Sequence, residues 1–212
     1  TNKLAPVPPG ANSAWMSKTD DGFKSGKEQE ASAQSGTSIF DPVLCELAYR
    51  WFCPPTGTVL DPFAGGSVRG IVAAKLGRGY TGIDLRPEQA EANEKQAATL
   101  CPNNPPTWVV GDALDSADIA AGEYDFLFSC PPYADLERYS DDPRDLSTMG
   151  YDAFVEAYRA IILSACGMLR DDCFACFVVG DVRDRKTGKY RGFPLDTVLA
   201  FREAGLGLYN DA

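Results

Sequence analysis

Short apolar segments alternate with longer segments of helical periodicity along most of this 212-residue chain, and this alternation restricts the folds that it can adopt. The apolar segments predict strands at Thr58 to Leu60, Tyr80 to Leu85, Trp108 to Val110, Tyr124 to Phe128 and Phe174 to Val179. Because helical crossovers join strands that run in the same direction, we expect a doubly wound, mostly parallel α/β sheet. Ligands of such folds bind at the carboxyl ends of the strands.

The helical segments carry recognisable start and stop signals. Asp41-Pro42 predicts the start of a short amphipathic helix, which Pro54-Pro55 stops. Further helices are predicted from about Ser67 to Leu76, Pro87 to Leu100, Tyr151 to Leu169 and Leu195 to Ala204, with a weak helix after the third strand. A sixth strand is expected at Leu206 to Tyr209. The alternation then stops at a sheet edge, so we expect that the fold lacks its last strand and that the natural protein is longer.

The first 39 residues differ from the rest of the chain. They are rich in proline, glycine, serine and charge, and they have no sustained period around the isolated Trp15. We therefore expect an extended or loosely ordered arm over residues 1–39 and one domain over residues 40–212. No stretch approaches the run of about 18 apolar residues that a membrane span needs.

Composition excludes several kinds of chemistry. The chain has no histidine, which excludes Ser-His-Asp and Cys-His nucleophile systems and histidine-ligated metals. Its net charge is −10, so a polyanionic partner would need a local basic patch. Seven cysteines in apolar stretches indicate reduced thiols of a cytoplasmic protein. Cys173 and Cys176 form C-x-x-C, but strand geometry puts them on opposite faces, so we interpret them as small buried hydrophobes and predict no metal.

Acidic residues follow the first three predicted strands. Asp61 opens the sequence Asp-Pro-Phe-Ala-Gly-Gly, whose glycines let the backbone approach a ligand. Asp84 stands where a doubly wound sheet presents a carboxylate to the ribose hydroxyls of an adenosine-containing ligand, and Asp112 could accept from an adenine amino group. The turn lacks both the dinucleotide fingerprint and the lysine of a P-loop. A tight strand-to-helix turn and solvated strand ends are the alternatives.

The fourth strand ends in Ser-Cys-Pro-Pro-Tyr, from Ser129 to Tyr133. Two consecutive prolines supply no amide donors and hold the backbone extended, so nearby carbonyls can accept from a substrate amino group. An exocyclic amine of a nucleobase is a poor nucleophile because its lone pair is delocalised. Two acceptors that grip its N–H bonds would aim the lone pair at an electrophilic methyl group, while Tyr133 stacks on the base. A proline-rich loop is the alternative.

These two motifs carry a family resemblance. Asp61 to Gly66 resembles the S-adenosylmethionine motif D-P-F-x-G-[SG], and Ser129 to Tyr133 resembles the [DNS]-P-P-[YFW] motif of amino-methyltransferases acting on DNA. From about Ser38 to Tyr209 the chain is similar to the methylase domain of phage and prophage ParB-like DNA methyltransferases. The resemblance implies a Rossmann-like class I methyltransferase fold with its catalytic domain over residues 40–212. It also implies site-specific DNA methylation at adenine N6 or cytosine N4, as in restriction-modification.

The resemblance also implies a cofactor, S-adenosyl-L-methionine, and the residues that bind it. The residues around its methionine moiety would be Asp61, Phe63, Ala64 and Gly65. Asp84 would bind the ribose, and Asp112 would lie near the adenine. Phe40 and Asp41 resemble the segment that closes over the amino-acid end. The implied catalytic residues, which would handle the target base, are Ser129, Cys130, Pro131, Pro132 and Tyr133.

Two departures from the family pattern affect the substrate. Cys130 stands where adenine-N6 enzymes normally have Asp and many cytosine-N4 enzymes have Ser, and a thiol is a weak acceptor. The carbonyl of Pro131 would then do most of the gripping, and adenine and cytosine both stay open. Only Ala134 to Gly150 separates the motif from the long helix, which is too short for a target-recognition domain. We expect specificity from the N-terminal arm, from residues outside this sequence or from a partner chain.

A DNA substrate requires a flipped target base and a basic contact surface. The stretch beyond the fifth strand carries the predicted nucleic-acid-binding residues Arg183, Arg185, Lys186, Lys189 and Arg191. A solvated loop is the alternative. The acidic stretch from Asp135 to Asp145 is expected to face the same region and to disfavour phosphates.

Other functions share parts of this pattern. Methylation of an RNA base or of a protein glutamine uses the same chemistry, although the Asn before the prolines that would favour glutamine is absent. A cofactor-binding module without catalysis is the third alternative, because Cys130 is a weak acceptor. A nicotinamide dehydrogenase would have the glycine fingerprint that this chain lacks.

Overall fold

The computed structural model describes residues 39–133 and 137–211, so the predicted arm lies outside the described residues except for Ile39. The helices are α1 (Pro42–Phe52), α2 (Val68–Lys75), α3 (Pro87–Leu100), α4 (Ser116–Ile119), α5 (Tyr151–Cys166) and α6 (Phe193–Glu203). The strands are β1 (Thr58–Asp61), β2 (Gly79–Asp84), β3 (Thr107–Val110), β4 (Tyr124–Ser129) and β5 (Leu169–Phe177). Short 3-10 turns lie at Ala113–Asp115 and Leu146–Thr148.

The strands form one parallel sheet in the order β3-β2-β1-β4-β5. This confirms the doubly wound α/β fold predicted from the sequence. The strand order reverses between β1 and β4, which pair directly with Leu60 opposite Leu127. In sheets of this kind the ligand cleft lies at the carboxyl ends of these two strands, and we expect it there.

Apolar side chains cover both faces of the sheet, as its parallel strands require. On one face, α5 and α6 bury Phe154, Tyr158 and Phe193. On the other face, α1 buries Tyr49 against Phe126 and Phe128 of β4, with ring centroids 6.1 and 5.2 Å away. Strand β4 therefore contributes side chains to the core on both faces of the sheet.

The first helix begins where the sequence predicts. The carboxylate of Asp41 accepts a hydrogen bond from the Val43 amide at 2.8 Å, and Pro42 occupies the first turn. In the described residues no helix is long and apolar enough to cross a membrane.

The predicted sixth strand is wrong. Leu206 to Tyr209 are described by the structure and form no strand. Gly205, at φ +91°, ends the turn after α6, and the ring of Tyr209 packs against Phe174 with centroids 5.2 Å apart. The apolar residues after the helix thus contact the sheet through a side chain and add nothing to its ladder.

The boundary between α5 and β5 also differs from the prediction. The helix ends at Cys166, and β5 already starts at Leu169, which pairs with Tyr124 ahead of a register shift in the ladder. As β5 is the outer strand of the described sheet, Cys173 and Cys176 are half-buried, whereas the sequence suggested full burial.

Candidate active site

The turn between β1 and α2 forms one wall of the cleft and is held by its neighbours. The amide of Ala64 donates to the carbonyl of Ile83 at 2.9 Å, and the Asn93 side chain donates to the carbonyl of Gly65 at 2.7 Å. Gly65 adopts φ +49°, which favours glycine, and a Cβ at Gly65 would meet open space. The open side of the turn can therefore be approached by a ligand.

The carboxylate of Asp61 is fully buried and is used by the protein itself. It accepts hydrogen bonds from Arg69 Nε at 2.6 Å, the Tyr80 hydroxyl at 2.7 Å and the Ser129 hydroxyl at 2.5 Å. The Phe63 amide adds a fourth bond at 3.2 Å. With these bonds made, the Asp61 carboxylate supports the turn from within the protein.

Arg69, which sequence reasoning missed, is the buried counter-ion of Asp61. Its guanidinium also donates to the carbonyls of Phe63 and Ala64 at 2.6 and 2.9 Å, and it lies 4.9 Å from the centre of the Phe40 ring. Burial opposes its charge, but the Asp61 carboxylate outweighs burial and raises the pKa of Arg69. An arginine placed in the first turn of a helix after an acidic strand end was the available signal.

Phe40 and Asp41 lie beside this turn but use their side chains differently. The Phe40 ring packs edge-on against Phe128 at 5.7 Å as well as over Arg69. The Asp41 carboxylate is the exposed cap of α1. Phe63 points to the opposite side, with its ring 6.0 Å from Tyr158.

Asp84 and Asp112 follow neighbouring strands at the same edge. Burial raises the pKa of Asp84, against the opposing effects of the Arg86 amide at 2.9 Å and its guanidinium at 3.5 Å. Asp112 accepts from the Leu114 amide at 3.0 Å and thereby caps a 3-10 turn. The two residues are linked by the Gly111 amide, which donates to the carbonyl of Asp84 at 3.0 Å.

The Ser-Cys-Pro-Pro-Tyr turn forms the opposite wall of the cleft. Ser129 and Pro131 are buried, whereas Cys130, Pro132 and Tyr133 are half-buried. Burial raises the pKa of the Cys130 thiol. Burial likewise raises the pKa of Tyr133 to about 12. At neutral pH both groups are uncharged.

The ring of Tyr133 rests against both ends of the basic stretch. Its centroid lies 6.0 Å from that of Phe193, and a Cβ added at Gly180 would lie 3.8 Å from its Cε1 atom. The Asp181 carboxylate accepts from the Gly192 and Phe193 amides at 2.9 and 3.3 Å, which closes the stretch at its base.

Residues 182–191, which we term the basic hairpin, fold back on themselves. Arg183 pairs with Tyr190 in an antiparallel bridge, and its guanidinium lies 3.9 Å from the centre of the Tyr190 ring. The predicted residues Arg183, Arg185, Lys186 and Lys189 are exposed. Arg191 differs, since it is half-buried over Tyr151 at 4.8 Å and 3.5 Å from Asp184.

The acidic stretch is largely paired within itself. Asp135 lies outside the described residues, but Arg138 bonds to Asp141 at 2.8 Å and Arg144 to Asp142 at 2.7 Å. The Asp145 carboxylate accepts from the Ser147 amide at 2.9 Å. This local pairing weakens the field that the sequence led us to expect against phosphates.

Comparison with known proteins gives matches at the level of structure. The sequence matches no protein-family model, and no curated protein matches it. Magnesium protoporphyrin IX methyltransferase from Synechocystis is similar with a TM-score of 0.54 at 13% identity, over 80% of this chain and 70% of that one. A TehB-like SAM-dependent methyltransferase from Corynebacterium glutamicum gives 0.52 at 20% identity, over 86% and 82%.

TrmN from Thermus thermophilus is also similar, with a TM-score of 0.51 at 19% identity. The match covers 64% of this chain but only 37% of TrmN, so this chain spans little more than a third of that protein. At these identities the likeness concerns architecture, and it agrees with the strand order and with the cleft at β1 and β4. The chain has the Rossmann-like fold of class I S-adenosylmethionine-dependent methyltransferases.

Proposed function

We propose that this chain is an S-adenosylmethionine-dependent methyltransferase that modifies an exocyclic amine of a DNA base, at cytosine N4 or adenine N6. One observation carries the proposal. The Asp-Pro-Phe-Ala-Gly-Gly turn and the Ser-Cys-Pro-Pro-Tyr turn follow paired strands and are joined by the hydrogen bond from Ser129 to Asp61. A donor-binding turn and an amine-gripping turn on adjacent strands are what direct transfer to an amine requires.

The residues at the cleft fit the methyl donor. The space beside Gly65 and Gly66 is open to a ligand, and the half-buried Asp84 carboxylate can accept from ribose hydroxyls. Asp112, at the adjoining strand end, is suited to the adenine amino group. When bound, S-adenosylmethionine supplies a methyl group activated by a positively charged sulfur. The protein positions it and keeps the acceptor amine in line.

The second turn would act on the target base without an imidazole or a covalent intermediate. Pro131 and Pro132 have no amide hydrogen, so the carbonyl of Pro131 is a suitable acceptor for the amine. The Cys130 thiol is neutral because burial raises its pKa, and it is a weak partner at most. Tyr133 offers a half-exposed ring face for stacking. A neutral amine whose N–H bonds are held in this way presents its lone pair to the donor.

DNA binding is assigned to the basic hairpin, which starts and ends beside Tyr133. Since a base inside the duplex cannot reach this turn, the target would be flipped out while the hairpin contacts phosphates. A target-recognition domain or partner chain outside this sequence belongs to the proposal, because the segment between the catalytic turn and α5 is short. Site-specific modification of the restriction or phage type would use such a division.

Reversing two charges of the hairpin should weaken DNA binding. We expect the double variant Lys186→Glu and Lys189→Glu to bind duplex DNA at least about tenfold more weakly and with a shallower salt dependence. Fluorescence anisotropy at several salt concentrations measures both. The matched control reverses Lys75 and Lys95, which are exposed on α2 and α3. If both double variants lost the same DNA affinity, the effect would be one of net charge only, and this would contradict the assignment of DNA binding to the hairpin.

The activity itself is tested with a radiolabelled methyl donor and separate DNA, RNA and protein substrates, followed by nucleoside and amino-acid analysis. Label in N4-methylcytosine or N6-methyladenine is the expected result and identifies the base. Label in RNA or in glutamine would replace DNA by that substrate. Donor binding in a calorimeter without any transfer would instead favour a non-catalytic module.

A further inference from the structure

Arg69 lies at the centre of a buried polar network that joins the two turns of the proposed site. We infer that Arg69 is a positioning residue. It shapes the donor-binding turn, which is the Asp-Pro-Phe-Ala-Gly-Gly turn, directly. It restrains the catalytic turn, which is the Ser-Cys-Pro-Pro-Tyr turn, through Asp61 and Ser129. The inference rests on the proposed function and adds to it a residue that neither motif contains. The network has two arms, one from Arg69 to the donor-binding turn and one through Asp61 to the catalytic turn, and each makes its own prediction.

The first arm runs from Arg69 to the main chain of the donor-binding turn. One guanidinium nitrogen donates to the carbonyls of Phe63 and Ala64, while Nε bonds to Asp61. These bonds orient the peptide groups on which a donor would lie. Lysine would keep the positive charge, but one ammonium cannot reproduce the planar fork that reaches a carboxylate and two carbonyls.

The second arm runs through Asp61 to the catalytic turn. One carboxylate oxygen accepts from Arg69 and Tyr80, and the other accepts from the Ser129 hydroxyl. Ser129 immediately precedes Cys130, and its carbonyl is held by the Val178 amide at 2.9 Å. Asp61 is thus one carboxylate shared between the two walls of the cleft.

Stability alone is a weak reason for such a network. Arg69 is 5% exposed and Asp61 is 0% exposed, so both charges are removed from water. A buried ion pair is often no more stabilising than a well-packed apolar pair, because desolvation offsets the attraction. What the pair provides that an apolar pair could not is directional bonding to three segments of the site at once.

A second buried arginine supplies a matched control. Arg78 is 6% exposed and donates to the carbonyls of Tyr49 and Cys53 at 2.9 and 2.7 Å. It precedes β2, at the end of the sheet away from the cleft. Arg69→Lys and Arg78→Lys therefore disturb similar numbers of buried bonds, and only the first touches the donor-binding turn.

The experiment measures S-adenosylmethionine binding by calorimetry at a temperature where every variant is folded. We expect Arg69→Lys to weaken binding at least about tenfold, as a displacement of contact groups by an ångström does. Arg78→Lys should lower the melting temperature but leave donor affinity near that of the wild type. Equal losses of affinity in the two variants would overturn the inference.

The second arm is tested with Ser129→Ala, which cuts the link to Asp61 but leaves Arg69 in place. Donor affinity should be retained, while kcat should fall about tenfold because the catalytic turn loses a restraint. A loss of donor affinity as large as that of Arg69→Lys would overturn the separation into two arms. Failure of the wild-type chain to bind S-adenosylmethionine would instead contradict the proposed function, and is seen before any variant is compared.

Discussion

Replacing Tyr133 by alanine should lower kcat about a hundredfold and change the affinity for S-adenosylmethionine little. Stacking of a base on an aromatic ring contributes about 1–3 kcal/mol, and loss of alignment with the donor adds to it. Donor binding should survive because the proposed donor contacts come from the glycine turn, Asp84 and Asp112. Steady-state kinetics with the identified nucleic-acid substrate, together with calorimetry for the donor, measures the two effects.

Tyr133→Phe is the matched control for this variant. It keeps the ring against Phe193 and loses only the hydroxyl. We expect activity close to that of the wild type. Because burial raises the pKa of Tyr133 to about 12, its hydroxyl should also leave no titration in kcat between pH 6 and pH 9, as about 3 pH units separate the two. If Phe is as inactive as Ala, the hydroxyl rather than the ring is required.

Replacing Asp84 by alanine should weaken S-adenosylmethionine binding at least about tenfold. Hydrogen bonds to a charged group contribute about 1.5–3 kcal/mol, which corresponds to a factor of ten or more in affinity. The expected contacts are the ribose hydroxyls, which donate to the carboxylate. The donor affinity of Asp112→Ala is the comparison. That side chain already caps a 3-10 turn, and the adenine is the only part of the donor that it is expected to contact.

The pH dependence of donor binding gives a second test of Asp84. Its pKa is raised above 3.8 by burial, and the ionised form is the better acceptor. Affinity should therefore be full above the folded-state pKa and should fall as the pH drops through it, at a higher pH than for an exposed aspartate. Asp84→Asn has no carboxylate to protonate and should flatten this part of the curve. Parallel curves for wild type and Asp84→Asn would assign the titration elsewhere.

The sequence predicts the architecture well because strand and helix alternation depends on local pattern. Strand β4 is apolar except for Asp125 and its last residue, Ser129, and the structure buries it on both faces. The sixth strand fails for a reason that is not local. An apolar stretch such as Leu206 to Tyr209 becomes a strand only if a neighbour offers its ladder, and here Gly205 and a ring contact direct the chain otherwise.

The sequence predicts that the two turns follow strands of one sheet, and it does not predict the bonds that connect them. In a sequence, an aspartate at a strand end looks the same whether it faces a ligand or accepts bonds from its own protein. Asp61 accepts bonds from its own protein, and partners such as Tyr80 and Ser129 are distant along the chain. Asn93 of α3 likewise holds the glycine turn, through a hydrogen bond to the carbonyl of Gly65 that the sequence does not reveal.

The hairpin and Tyr133 share their points of attachment. Gly180 and Phe193 both border the aromatic ring, while the Thr187-Gly188 tip is exposed and carries the left-handed φ of +68°. The length or sequence of the tip can therefore change without displacing Gly180 and Phe193. Under the proposed function, the residues that contact a partner could differ at the tip while Gly180 and Phe193 keep the aromatic ring in position.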